Sequence, residues 1–463
     1  MSEVAVADLR ERIAVQRRRD LPLTDVGNAE RLVTDHAEEI RFVPAVGWHV
    51  WDGRRWRRDG DGEVMRRMKI TTRTMREEAA KLGQQGDELW KHANRSESRP
   101  RLEAALALAQ TDSAVIAHVD ALDADPYLLN VENGTINLRT GALQPHRPSD
   151  LLTKLAPVHY DPDATSPRWA GVLRDATGED EDLLAFLARA FGYTLTGDTG
   201  DEVLFFAHGP AATGKSTVLE ALKATLGDYA ATADFETFLA RRGEAGTRSD
   251  IARLAGARLV IGTEVDDGKR LAEGLLKQVT GGDTVTARFM YQDYFEYRPQ
   301  FKLWLAANHR PRVNAQDEAM WRRIVQIPFT RVVPPEQRDP GLKRKLTTDA
   351  TARSAILAWA VRGCLAWQTH GLAVPAAVRS YTAEYRAEND PIADWLTACG
   401  RVTHGRITAA SALRASYEAW AEANGERPVS AKALGDALSH LGCTRSKLRG
   451  DRAWQNIELA EDR

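Results

Sequence analysis

Apolar and polar positions follow four different rhythms along this chain. Near the amino end, "LTDVGNAERLVTDHAEEIRF" places Ala29, Leu32 and Val33 at helical spacing behind Thr24 and Asp25, either of which can cap a helix. "GWHVWDGRRWRRDG" sets Trp48, Val50, Trp51 and Trp56 around Asp52-Gly53, the pattern of two short strands and a turn. From Glu63 to Leu122 the chain is rich in Ala, Arg, Glu and Lys and reads as helical. Asn133-Gly134, between "YLLNVE" and "TINLRTG", predicts a second small β element.

"HYDPDATSPRW", His159 to Trp169, has the Pro, Asp and Ser content of a linker. From Glu202 onward short apolar runs alternate with helical patterns ("VLFFAHG", "STVLEALKATLG", "ARLVIGTE", "GLLKQVTGG", "FKLWLAAN"), which predicts an α/β unit with a largely parallel sheet. After "IVQIPFTRVVPPEQRDP" the chain turns helical, and Glu384 to Pro391 opens a last unit. Two amphipathic helices and a hairpin turning at Gly450-Asp451 give that unit the order of a winged helix. The expected division is therefore an α+β domain over 1–158, the α/β unit over 159–340, a helical connector over 341–384 and a winged-helix-like domain over 385–463. No repeat period recurs.

Composition narrows the classes. The 463 residues suggest about three domains. With 43% hydrophobic and 28% charged residues and no apolar run of membrane-spanning length, a globular protein away from the membrane is expected. The first residues, ending in Arg17-Arg18-Arg19-Asp20, lack the apolar core and cleavage site of a secretory signal, so the expected location is the cytoplasm. Cys364, Cys399 and Cys443 are too scattered for a disulfide framework or a C-x-x-C metal site. Lys and Arg number 63 against 65 Asp and Glu, so any nucleic-acid contact must come from local patches.

The sharpest motif is Gly209-Pro210-Ala211-Ala212-Thr213-Gly214-Lys215-Ser216, followed by Thr217, between the strand pattern "EVLFFAH" and the helix pattern "STVLEALKATL". A Gly-flanked loop opening a helix offers converging N–H donors and the positive end of the helix dipole to phosphate oxygens. Lys215 then meets the β- and γ-phosphates of ATP, and Ser216 offers its hydroxyl to Mg2+. In "ARLVIGTEVDDG" a strand runs into Glu264, with Asp266 nearby, where a carboxylate can hold the metal's water shell and polarise the attacking water. "FKLWLAAN" ends in Asn308, whose amide can both donate and accept beside the γ-phosphate. Trp321-Arg322-Arg323 precedes "IVQIPF", and an arginine supplied by a neighbouring subunit would couple hydrolysis to head-to-tail ring assembly.

This order of motifs resembles superfamily 3 helicases, specifically the phage and plasmid primase–helicase proteins related to poxvirus primases. The likeness runs over about two thirds of the chain and is densest from "FFAHGPAATGKST" to "WRRIVQIPF". It implies a P-loop ATPase core of AAA+ type, with Gly214, Lys215 and Ser216 in the phosphate loop, Glu264 as the acidic motif, Asn308 as the sensor and Arg322, with Arg323, as the finger. "LKQVTGGDTVTARFMYQDYFEYRPQFKLWLAANHRP" would hold the family's extra motif, including Lys277, Asp283 and Arg288 and a hairpin that reaches DNA in the ring's channel. Here Glu264 lacks an adjacent second acid, and Met290 to Asp293 lacks Lys and Arg, so Tyr291 stacking on bases and Arg288 on phosphate are the expected contacts. With about 20 residues before the likeness begins, too few for a polymerising fold, priming is expected from a separate primase or polymerase.

The carboxyl-terminal hairpin adds Arg445, Lys447, Arg449 and Arg452, joined by Lys432 on the preceding helix, as a local cationic stripe for DNA. The expectation is an ATP-dependent helicase of phage or mobile-element replication, a homo-oligomeric ring, hexameric by the resemblance, on single-stranded or forked DNA. An ATP-switched origin-binding or loading factor is the alternative. A small-molecule P-loop kinase fits less well, because no acceptor lid is recognisable.

Overall fold

The computed structural model describes residues 16–44, 46–240, 249–263, 269–287, 295–313, 317–424 and 428–460. The first unit opens on α1 (Asp25–His36), capped by the Thr24 hydroxyl, which accepts from the Gly27 N–H at 3.2 Å. An antiparallel sheet follows, β1 (Ile40–Val43), β2 (Gly47–Trp51) and β3 (Trp56–Arg58), then α2 (Glu63–Leu82), α3 (Asp87–Ser96) and α4 (Arg99–Ala109). Leu32, Ile40, Val50, Met68, Leu102 and Val115 close a core of their own. Asp52 shapes the β2–β3 turn by accepting from the N–H groups of Arg54 and Arg55, both at 2.9 Å.

A second antiparallel sheet comprises β4 (Leu128–Val131), β5 (Gly134–Asn137) and β6 (Ala142–Gln144). Its first turn is Glu132-Asn133, one residue earlier than the sequence suggests, because Val131 pairs with Gly134. The Asn133 amide is instead occupied with the Tyr160 backbone, donating to its carbonyl and accepting from its N–H, each at 2.9 Å. Helices α5 (Pro167–Thr177) and α6 (Glu181–Leu195) lead into the central layer.

That layer is five parallel strands, β7 (Leu204–His208), β8 (Ala230–Asp234), β9 (Leu259–Thr263), β12 (Lys302–Ala307) and β13 (Ile324–Pro328), ordered β13-β7-β12-β9-β8. Helix α7 (Lys215–Leu226) follows β7. Helix α8 (Glu273–Thr280) and the antiparallel ribbon β10 (Val285–Ala287) and β11 (Phe295–Tyr297) lie between β9 and β12, and α9 (Glu318–Trp321) precedes β13. Alternate residues feed opposite faces, as a sheet covered on both sides requires. Phe205, Ile261, Trp304 and Val325 face one core, while Phe206, Val260, Leu305 and Ile324 face the other. Trp304 stacks between Phe191 and Phe205 at centroid distances of 4.5 and 4.4 Å. The chain leaves β7 for the far edge at β8, returns through β9 and β12, and ends on the other side of β7. The strand order therefore reverses beside β7, and its carboxyl end opens on the crevice where such sheets bind ligands.

The three expected boundaries do not coincide with the cores. Leu129, Val131, Ile136 and Leu138 share the core of the parallel sheet, as do Leu346 of α10 (Leu342–Thr348) and Ile356 and Val361 of α11 (Ala350–His370). Residues 128–160 and the supposed connector 341–384 therefore pack with the central layer. The fully buried Arg258 explains the first weld, since it donates to the carbonyls of Leu195 at 2.7 Å and Leu128 at 2.6 Å. Helix α12 (Ala376–Ala387) also stays with the central layer, where Thr382 accepts from the Gln326 N–H at 3.1 Å. Asn389 closes the layer by accepting from Val313 at 2.8 Å, so the break falls near Asp390 rather than at 384.

Beyond it come α13 (Pro391–Cys399), β14 (Gly400–Ala409), α14 (Ala410–Ala423), α15 (Ala431–His440), β15 (Thr444–Leu448) and β16 (Asp451–Leu459), with sheet order β14-β16-β15 around Trp395, Leu413, Tyr417 and Ile457. The hairpin turns at Arg449-Gly450, not Gly450-Asp451. Both have positive φ, 51° and 96°, as a two-residue turn matched to strand twist demands. Among the described residues no helix is long and apolar enough to cross a membrane.

Helices α6 and α11 cross almost backbone to backbone. A Cβ on Gly363 would sit 1.9 Å from the Ala188 carbonyl oxygen, whereas one on Gly171, inside α5, would meet nothing within 4 Å. Gly363→Ala should cost about 1–3 kcal/mol in denaturant unfolding. Gly171→Ala should instead gain about 0.5–1 kcal/mol through the lower entropy of its unfolded chain.

Candidate functional site

The Gly209–Ser216 loop sits at the carboxyl end of β7, in the crevice. Gly209 is required, since its φ is 152° and a Cβ there would lie 1.9 Å from the Phe329 carbonyl oxygen. Ala212 and Gly214 also adopt positive φ, 62° and 87°. The segment after β13 braces the loop, with the Val333 N–H donating to Ala212 at 2.9 Å and Phe329 to His208 at 2.8 Å. Thr213 is buried and its hydroxyl donates to Pro210 at 3.1 Å, while Pro210, Ala211 and Ala212 are exposed.

Lys215 is the first residue of α7 and is 7% exposed. Its Nζ donates to the carbonyls of Gly209 at 2.7 Å and Pro210 at 2.8 Å and to Asn308 Oδ1 at 3.0 Å. Burial lowers its pKa from the ordinary lysine value. Its partners are thus neutral oxygens of the loop and of Asn308, over which a phosphate oxygen is the stronger acceptor. Ser216 is exposed and Thr217 half-buried on the first turn of α7, where the helix dipole favours negative charge. Asn308 stands exposed just past β12.

Residues that the sequence reading passed over complete this end of the sheet. His208 Nδ1 lies 2.7 Å from the Tyr381 hydroxyl, and its pKa is held down to about 4 by burial, by Arg310 and by Lys215. Arg310 packs over the rings of Tyr381 and Tyr385 at 4.7 and 5.5 Å, donates to Gln326 at 3.0 Å and pairs with Glu388. Only its place two residues after Asn308 in "NHRP" could have drawn notice to it, because its partners lie up to 78 residues away.

Glu264 and Asp266 lie outside the described residues, as do Arg288 and Tyr291. The strand before Glu264 ends at Thr263, paired with Ala306. Among the described residues no cluster of three or more His, Cys, Asp and Glu could hold a metal ion.

Arg322 and Arg323 stand at the other end of the sheet, where the Leu204 N–H donates to the Arg323 carbonyl at 2.8 Å. A five-residue strand, about 16 Å long, separates them from the Gly209–Ser216 loop of the same chain. Both guanidiniums donate to Glu202 Oε2, at 2.8 and 2.7 Å. Arg323 is 6% exposed and also donates to the Ala319 carbonyl, so it is a structural cation, and the expectation that it shares the finger role is corrected. Arg322 projects, with its side chain 64% exposed.

Lys277, expected to face DNA, instead donates to Asp317 at 2.7 Å. At the far end of the chain Lys432, Arg445, Lys447, Arg449 and Arg452 are all exposed. Lys447 pairs directly opposite Arg452, and Arg445 packs over Trp454 at 5.8 Å. Like charges opposed across a hairpin destabilise it, a cost that an anionic partner would offset.

Comparison with known proteins gives the following likenesses. Residues 29–178 match the family model described as D5 N terminal like, and residues 207–323 match one described as Family of unknown function (DUF5906). The chain is 28% identical over 295 residues to "Putative helicase L207/L206" of Acanthamoeba polyphaga mimivirus, covering 59% of this chain and 30% of that protein. It is 26% identical over 350 residues to "Putative helicase 022R" of Frog virus 3 (isolate Goorha), covering 58% and 36%. The chain thus spans about a third of the length of these two curated relatives. Among solved structures, the apo A form of the NrS-1 C terminal region is similar in fold, with a TM-score of 0.51 and 10% identity over 94% of this chain and 99% of that one.

His208 binds a proton more readily in the unfolded chain than in the folded one, so its neutral form contributes stability above about pH 6.5 that is lost as pH falls toward 4. Thermal unfolding followed across that window should show the loss, and His208→Gln should flatten the His208 share of it.

Proposed function

We propose that this chain is the motor of an ATP-dependent DNA helicase of viral or mobile-element replication, a superfamily 3 protein with an AAA+-type core that cleaves ATP between neighbouring subunits of a ring. One observation carries the reading. Lys215 and Asn308 stand at the carboxyl ends of the strands and the exposed Arg322 at the amino ends, so a single copy cannot bring them together. Head-to-tail stacking can, and such contacts close into rings.

In this reading the loop N–H groups and Lys215 hold the β- and γ-phosphates, Asn308 positions the attacking water, and the partner subunit contributes its arginine to the charge that develops on the γ-phosphate. Ser216, exposed at the start of α7, and Glu264 would hold Mg2+, which would supply neutralising charge between the phosphates. The β10–β11 ribbon would follow single-stranded DNA through the ring. The order helix, strand, helix, helix, hairpin after Asp390 supports a winged helix, with Lys432, Arg445, Lys447, Arg449 and Arg452 toward the DNA backbone. The likeness to proteins named as helicases of large DNA viruses supports the same reading.

The cationic hairpin also supports a second reading, an ATP-switched origin-binding or loading factor that assembles without translocating. Strand displacement on a forked duplex, as opposed to retention alone, separates the two.

Lys215→Ala and Arg322→Ala should each lower ATPase activity at least ~100-fold. Mixed in equal amounts they should recover activity, since about a quarter of interfaces in randomly assembled rings join an intact loop to an intact arginine. No recovery at any ratio would place the whole site within one chain.

A further inference from the structure

The ion pair of Lys277 and Asp317 belongs to neither the phosphate site nor the cationic hairpin, yet it joins the two segments that the proposed motor must move together. Asp317 Oδ1 accepts from the Met320 N–H at 3.0 Å and so caps α9, the single turn that ends in Arg322. Asp317 Oδ2 accepts from Lys277 Nζ at 2.7 Å, with side chains 16% and 35% exposed. Glu273, one turn earlier on α8, also approaches Asp317.

Helix α8 is tied in turn to the start of the ribbon. The Lys277 carbonyl accepts from the Gly281 N–H at 2.9 Å, and the Gln278 amide donates to the Thr284 carbonyl at 3.3 Å, one residue before β10. Gly281 faces the same knot of charge, since a Cβ there would lie 3.5 Å from Arg323 Nη2. Arg323 itself is locked by Glu202 and the Ala319 carbonyl, so α9 and the base of β7 form one rigid piece. Met320 and Trp321 are buried, which leaves α9 no slack beneath the arginine.

We propose that the Lys277–Asp317 pair is a strut that couples the position of Arg322 to the root of the β10–β11 ribbon, so that engaging a neighbour's nucleotide and moving DNA are one event. Asp317 and Lys277 are positioning residues in this account and touch neither ATP nor DNA. The proposal rests on the helicase reading and adds to it the path of coupling, carried by a packed element with few alternative arrangements.

Asp317→Asn keeps the cap on α9 and the side-chain shape while removing the charge. ATPase rates are measured for the whole chain without DNA and with saturating oligo-thymidine, together with oligo-thymidine affinity by fluorescence anisotropy and the unfolding midpoint. Asp317→Asn should keep the unstimulated rate and the DNA affinity of the wild type. Its stimulation by DNA, about 5–150-fold for a typical coupling between sites, should collapse toward one. The double variant with Lys277→Met should lose no more stimulation than Asp317→Asn alone, as partners in one interaction require.

Wild-type stimulation in Asp317→Asn overturns the strut. So does a loss confined to Lys277→Met and accompanied by weaker DNA binding, which would make Lys277 a direct DNA contact. A wild-type protein that DNA does not stimulate overturns the helicase reading and the strut with it, so the two failures are distinguishable.

Discussion

Parallel strands have direction, and the arrangement of chemistry in this chain follows from that. With β7, β12 and β13 in parallel register, every loop leaving a carboxyl end collects on one edge of the sheet and every residue entering an amino end on the other. Lys215 and Asn308 belong to the first set and Arg322 to the second. Hydrogen-bonded register fixes the gap between them at one strand length, and side-chain reach does not close it. In the proposed head-to-tail interface the two edges would meet across copies.

The rigidity of that frame comes from burial on both faces and from buried cations that donate to backbone carbonyls. Lys302, at the amino end of β12, is buried and donates to the carbonyls of Thr196 at 2.5 Å and Asp198 at 2.8 Å, and desolvation lowers its pKa well below that of a free lysine. Arg258 does the same for Leu128 and Leu195. Cations satisfied by several carbonyls fix the loops that supply those carbonyls, here the residues joining the small β4–β6 sheet and α6 to the parallel layer. The amino-end edge that carries Arg322 therefore has a stiff foundation, and the carboxyl-end loop is held by Lys215 and by backbone bonds from Phe329 and Val333.

The Gly209–Ser216 loop between strand and helix, the strand before Asn308 and the alternation that predicts a parallel sheet are all legible in the sequence, because each is a local pattern of a few residues. What stayed hidden depends on partners distant in sequence. Residues 128–158 read as part of the amino-terminal domain until Arg258, 130 positions after Leu128, ties them to the central layer. Lys277 reads as a free cation because Asp317 lies 40 residues on. Arg323 reads as the twin of Arg322, and only Glu202, 121 residues earlier, together with burial, sets them apart. The turns at Glu132-Asn133 and Arg449-Gly450 slipped by one residue for a similar reason, as strand register and side-chain partners overrode the dipeptide signal.

Molecular mass in solution, measured by light scattering on the whole chain with a slowly hydrolysed ATP analogue and a single-stranded oligonucleotide, tests most directly whether the two edges meet. A closed assembly of several copies that forms with both ligands is the expected result. A chain that stays monomeric at every concentration while hydrolysing ATP at full rate would contradict the shared site.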